Sequence, residues 1–209
     1  MLKVNQLVDE VTLDQSPEEI NEYISKLSTE MALSNKKFNQ YISLLILAIA
    51  GHFLFTNGYI KTISFMSLKV ESKKLIDIWF LLVPSALYLI VSIFGYMRIY
   101  QQGVLTELKY RFKPNEYHSG FFRLLFPANI PYALDLLRRQ QDRASKYVIV
   151  FPTIFFALGT LSFPISYLYI NYVSLYATYG SPIELIVSSI LSLLLVLHGF
   201  FILSLGTRL

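Results

Sequence analysis

The chain has 209 residues, of which 54% are apolar, 15% aromatic and only 15% charged, with a formal net charge of +4. A soluble globular domain carries about 25% charged residues, so much of this surface must meet something other than water, and the same composition excludes intrinsic disorder. The absence of cysteine excludes a disulfide framework, a thiolate metal site and a cysteine nucleophile.

In chain order, the first element is a tail, 1–40, with seven acidic and four basic residues and no apolar run of the signal-peptide kind. No cleaved leader is expected. Within the tail, Ser16-Pro17-Glu18-Glu19 predicts a helix start, with Ser16 as N-cap, Pro17 at N1 and Glu19 placed to complete a capping box. Apolar residues then recur in alternating steps of four and three at Ile20, Ile24, Leu27 and Met31, followed by Ser34, Phe38, Tyr41 and Leu45. This heptad-like seam predicts a helix running without a proline into the first long apolar stretch. Two readings of the seam stand side by side. Either the tail packs on the chain's own middle loop, or Ile20, Ile24, Leu27 and Met31 face another subunit or a partner protein.

Four stretches reach the roughly 20 apolar residues that a helix needs to cross about 30 Å of hydrocarbon: 41–60, 78–97, 147–173 and 183–205. The expected fold is an all-α membrane protein with four transmembrane helices, a cytoplasmic N-terminal helix and a helical cytoplasmic middle loop. The spans are joined by an external loop 61–77, the middle loop 98–146 and a short external loop 174–182, and are followed by the end 206–209. Pro84, Pro152 and Pro164 predict breaks or kinks in the second and third spans.

The middle loop begins by continuing the second span as a helix over 100–112, which Pro114-Asn115 ends. Phe121-Phe122-Arg123-Leu124-Leu125-Phe126 is too short to span and suits a position at the interface or under the bundle. A second helix is expected over 132–146, where Arg139, Arg143 and Lys146 share a face and Arg138 adjoins them.

Loops rich in Lys and Arg stay cytoplasmic. The tail, the middle loop and the final residues hold 14 of these side chains, the 61–77 loop four, and 174–182 none. Both termini and the middle loop are therefore expected in the cytoplasm, with a bacterial inner membrane as the setting. The tail nets −3 and the middle loop +5, and opposite charges on one membrane surface attract within a Debye length of about 8 Å. Arg138, Arg139, Arg143 and Lys146 accordingly have three candidate roles: contact with anionic headgroups, pairing with the acidic tail, or binding of an anionic ligand.

Motifs for chemistry are missing. No HExxH, P-loop, G-x-G-x-x-G or G-x-S-x-G occurs, so neither enzymatic activity nor a cofactor or metal is expected. His52 and His198 lie within spans, at depths that differ by roughly 6 Å. Each is either a neutral imidazole bonded to a neighbouring helix or a pore-lining, proton-sensing group. Ser188, Ser192 and Gly199 fall on one face of the fourth span, as either a close helix contact or a weakly polar pore wall.

This layout of four spans, a basic cytoplasmic loop and a small outer face resembles the small four-span effector proteins of bacterial antiviral-defence operons. The resemblance covers layout and carries over no residues. It implies a non-enzymatic, oligomeric membrane protein, membrane-perturbing or channel-like, controlled from its cytoplasmic side. The expected partners are the lipid bilayer and further copies of the chain, without direct nucleic-acid binding. The alternative is a membrane anchor or accessory subunit that recruits a cytoplasmic protein. A small transporter is less favoured, because no internal repeat or buried charge accompanies the prolines.

Overall fold

In a computed structural model of the chain, the described residues are 4–57, 59, 63–65, 68–70, 73–113 and 162–206. They form helices α1 (Val4–Thr12) and α2 (Pro17–Thr56), strands β1 (Ile63–Phe65) and β2 (Leu68–Val70), helix α3 (Lys73–Phe112), helix α4 described over 162–179, and helix α5 (Ile183–Gly206). Apart from turns, the described residues are helical except for the β1–β2 hairpin, an antiparallel pair in the register Ile63↔Val70, Ser64↔Lys69 and Phe65↔Leu68. Among the described residues, three helices are long and apolar enough to cross a membrane: Pro17–Thr56, Ile76–Phe112 and Ile183–Leu205. Of the expected third span, 162–173 lies in α4, while 147–161 lies outside the described residues.

Local chemistry accounts for the element ends. The capping box forms: the Ser16 N–H donates to Glu19 Oε2 at 2.8 Å, and the Glu19 N–H donates to Ser16 Oγ at 3.3 Å. Ahead of it, Asp14 takes a left-handed φ of 66° in the turn between α1 and α2, a conformation that Asp tolerates better than most residues. At the other end of α2, Thr56 Oγ1 donates to the His52 carbonyl at 2.8 Å and Asn57 Nδ2 to that of Phe53 at 2.7 Å. Both bond carbonyls in the last turn of the helix, where the Phe53 carbonyl also accepts the Asn57 N–H at 3.1 Å.

Helix α3 starts five residues before the charge-free stretch at 78, because charge limits a membrane span and not a helix. It stays helical through Pro84 and on to Phe112, so the expected extension over 100–112 is present. Gly180, with φ 73°, closes α4, and its N–H donates to the Tyr176 carbonyl at 2.9 Å. The helix therefore runs six residues past Val173, into the expected outer loop.

Two compact units divide the chain. The first contains, among the described residues, 4–37, 94–113 and 203–206. Its core is Val4, Val8, Ile20, Ile24, Met31, Val104, Leu105 and Leu108, with Leu7, Tyr23, Leu27 and Tyr100 packed against it. Helix α1 was not foreseen in the tail; Val4, Leu7, Val8 and Val11 give it an apolar face at helical spacing. On its polar side Asp9 pairs with Arg111 of α3, and Arg111 also bonds Glu107 at 2.8 Å.

The second unit contains the described parts of 38–93 and 162–202. Its apolar cluster is Leu81, Tyr88, Leu168, Leu175, Leu185 and Val196. Helices α2 and α3 each contribute to both units.

Candidate functional site

The second unit holds a polar junction that begins with a backbone consequence of Pro84. Proline has no N–H, so the carbonyl four residues earlier, on Phe80, loses its helical partner. Tyr167 of α4 supplies the missing donor: its hydroxyl donates to the Phe80 carbonyl at 3.1 Å. The same oxygen lies 2.7 Å from His52 Nδ1 of α2. A phenol has one hydrogen, and here it is committed to Phe80. The His52 bond therefore runs the other way, with Nδ1–H donating to the Tyr167 oxygen, which fixes the imidazole tautomer.

Aromatic surfaces hold this geometry in place. The Phe80 ring stacks on His52 with centroids 4.5 Å apart and 18° between planes, and Tyr167 meets the imidazole edge-on at 5.7 Å. His52 is buried, 4% exposed. One imidazole thus joins α2, α3 and α4, and it does so where a helix has been left one hydrogen bond short. The arrangement can hold a proton on a defined nitrogen and can lock three helices together.

A second layer ties the same elements nearer their ends. Asp77 of α3 is buried, within electrostatic reach of His52, and accepts a hydrogen bond from the Tyr179 hydroxyl of α4 at 2.9 Å. Burial, then this bond to the carboxylate, pushes the Tyr179 phenol up to about 12. Lys74 of α3 pairs with Glu184 of α5 at 3.4 Å, and because both are solvent-exposed the pair adds little to stability. Among the described residues, no three of His, Cys, Asp or Glu gather to hold a metal ion.

The serine face of α5 is turned inward. Ser188 and Ser192 are 4% and 0% exposed, and a Cβ at Gly199 would lie 2.9 Å from Ser92 Oγ and 3.0 Å from the Tyr88 ring. Such an approach is the close helix packing that small residues permit. Ser188 Oγ donates to the Leu185 carbonyl at 3.1 Å, whereas Ser192 Oγ has no hydrogen-bond partner among the described residues. His198 is exposed on α5 and does not meet His52.

In the first unit, Ile20, Ile24 and Met31 are buried within the chain's own core, with Leu27 packed against it, facing α1 and the 100–108 part of α3. Arg138, Arg139, Arg143 and Lys146 lie outside the described residues. Sequence reasoning missed Tyr167, Asp77 and Arg111 as partners. For Tyr167 a signal existed, since a proline inside a span orphans a carbonyl that something must satisfy. No protein-family model, curated protein or solved structure matches the chain.

Proposed function

We propose that the chain is a four-span membrane protein with both termini in the cytoplasm, acting without enzymatic chemistry as an oligomeric, channel-like effector of the kind found in bacterial defence. Support comes from helix continuity. The early part of α2 and the late part of α3 build the Ile24–Leu105 core, while the late part of α2 and the early part of α3 carry His52 and Phe80. A cytoplasmic event that shifts the first core therefore acts on the same two helices that Tyr167 locks together. Rigid secondary elements are the ordinary carriers of such coupling.

Inducible expression with a membrane-potential dye tests this reading. Depolarisation by the native chain, weakened by Tyr167→Phe or by Leu105→Ala, is expected. An undisturbed potential at full expression, alone and with the product of a neighbouring gene, would overturn it. The anchor reading draws on the first unit's exposed Leu33, Tyr110 and Phe112, which offer apolar contact to a soluble protein. A normal potential together with recovery of such a protein bound to the native chain, and lost from a Tyr110→Ser/Phe112→Ser variant, would favour it.

A further inference from the structure

The second unit presents amphipathic aromatic side chains where its helices come to an end. Tyr59 follows α2, Trp79 lies in the second turn of α3, and Tyr176 stands in the last turn of α4; they are 76%, 59% and 51% exposed. Contacts within the unit bring these helix ends together. The Tyr179–Asp77 hydrogen bond joins the end of α4 to the start of α3, and the Lys74–Glu184 pair joins the start of α3 to that of α5. The Phe55 and Phe80 rings, 6.1 Å apart, add the end of α2.

Indole and phenol are apolar rings with one polar hydrogen. In water the ring is left exposed; in hydrocarbon the N–H or O–H goes unsatisfied. Only the layer between acyl chains and headgroups suits both parts. The same region of sequence carries Lys61, Lys69, Lys73 and Lys74 against Glu71 and Asp77, and Lys74 is also paired with Glu184. These lysines are anomalous for an outer loop if read only as an orientation signal. As sequence composition, a lysine excess is complementary in charge to lipid phosphates.

Building on the membrane reading above, we propose that this end of the second unit is a headgroup-binding surface, with Tyr59, Trp79 and Tyr176 seated at the boundary between acyl chains and headgroups of a phospholipid bilayer. Trp79 is the chain's single tryptophan, so intrinsic fluorescence reports this position alone. The full chain is reconstituted into phosphatidylcholine–phosphatidylglycerol vesicles whose acyl chains carry bromine either near the glycerol or near the terminal methyl. Trp79 should lie about 15 Å from the bilayer centre, half of a core about 30 Å thick, and shallow bromine should quench it at least about twofold more than deep bromine. Trp79→Phe abolishes the signal and sets the background.

Stronger quenching by the deep bromines would overturn the proposal. So would full quenching by aqueous iodide with none from either lipid. Alkaline carbonate extraction separates the two levels of failure. A chain that stays in the membrane pellet while Trp79 answers only to iodide refutes the headgroup surface alone. A chain released by carbonate refutes the membrane reading and this surface with it.

Discussion

Replacing Pro84 with Ala returns a backbone N–H to the Phe80 carbonyl, and this should lower the cost of deleting the Tyr167 hydroxyl. In the native chain Tyr167→Phe removes two hydrogen bonds, one donated to Phe80 at 3.1 Å and one accepted from His52 at 2.7 Å. Interhelical hydrogen bonds in membranes are worth about 0.6 kcal/mol each on average and about 1.7 at most. The two together predict a loss of roughly 1–3 kcal/mol. In the Pro84→Ala background the helix itself satisfies Phe80, so only the His52 bond is lost, roughly 0.5–1.5 kcal/mol. The double-mutant cycle over native, Tyr167→Phe, Pro84→Ala and the double variant should then show a coupling of roughly 0.5–1.5 kcal/mol, beyond the scatter of about 0.3–0.5 expected of independent sites. Reversible unfolding of the four proteins by an ionic detergent in mixed micelles provides the free energies. If Tyr167→Phe costs the same in both backgrounds, Pro84 does not create the vacancy that Tyr167 fills, and the junction loses its origin.

Two further expectations concern neighbouring elements. Gly199→Ala places a methyl 2.9 Å from Ser92 Oγ and 3.0 Å from the Tyr88 ring, and should cost about 1–3 kcal/mol through overpacking; Ser192→Ala removes a hydroxyl without a partner among the described residues and should cost nothing, so the reverse order of thermal midpoints in detergent would contradict the packing described. At the start of α2, backbone and side-chain hydrogen bonds from Ser16 hold the Glu19 carboxyl below its ordinary 4.5. A depressed acid stabilises the fold above its unfolded value and loses that contribution as pH falls through the folded one. Amide protection over 18–22 should therefore decline as pH falls below the ordinary carboxylate range and become independent of pH in Glu19→Gln; protection equal in both proteins would dismiss the capping box.

What the sequence discloses follows from how local each cause is. The capping box is legible because Ser16 and Glu19 lie three residues apart and need nothing else. The run of α2 through the seam is legible because periodicity persists without a proline, and that of α3 to Phe112 because no proline stands between Pro84 and Pro114. Helix α1 has nine residues, too few to be stable alone; its apolar face becomes meaningful only when Val104, Leu105 and Leu108 are there to cover it. The net charges of tail and middle loop predict attraction, yet nothing local selects Arg111 and Asp9, which stand far apart in sequence. Tyr167 is one of 15 tyrosines, and only the packing of α4 against α2 and α3 distinguishes it. Pro84 and His52 are both visible in the sequence as irregularities, but their common solution lies in a third helix.

The makeup of the second unit explains why the polar junction matters more than its few atoms suggest. In the first unit, Val, Ile, Leu and Met form the core, and Ser34, Gln102 and Thr106 are buried as well. In the second, Ser85, Ser92, Ser188, Ser192, His52 and Asp77 are buried, while Ile186, Val187, Ile190, Leu194, Leu197 and Phe201 point outward. That inversion suits a lipid surround, where acyl chains are as apolar as leucine and give no net reward for burying it. Helix association there must depend on close approach, as at Gly199, and on hydrogen bonds, as at His52 and Tyr167. A few weak interactions then decide which helices stay together, and a change of about 1–2 kcal/mol suffices to alter the balance by roughly five- to thirtyfold. Helices α2 and α3, which run through both units, are the elements whose association these few bonds hold.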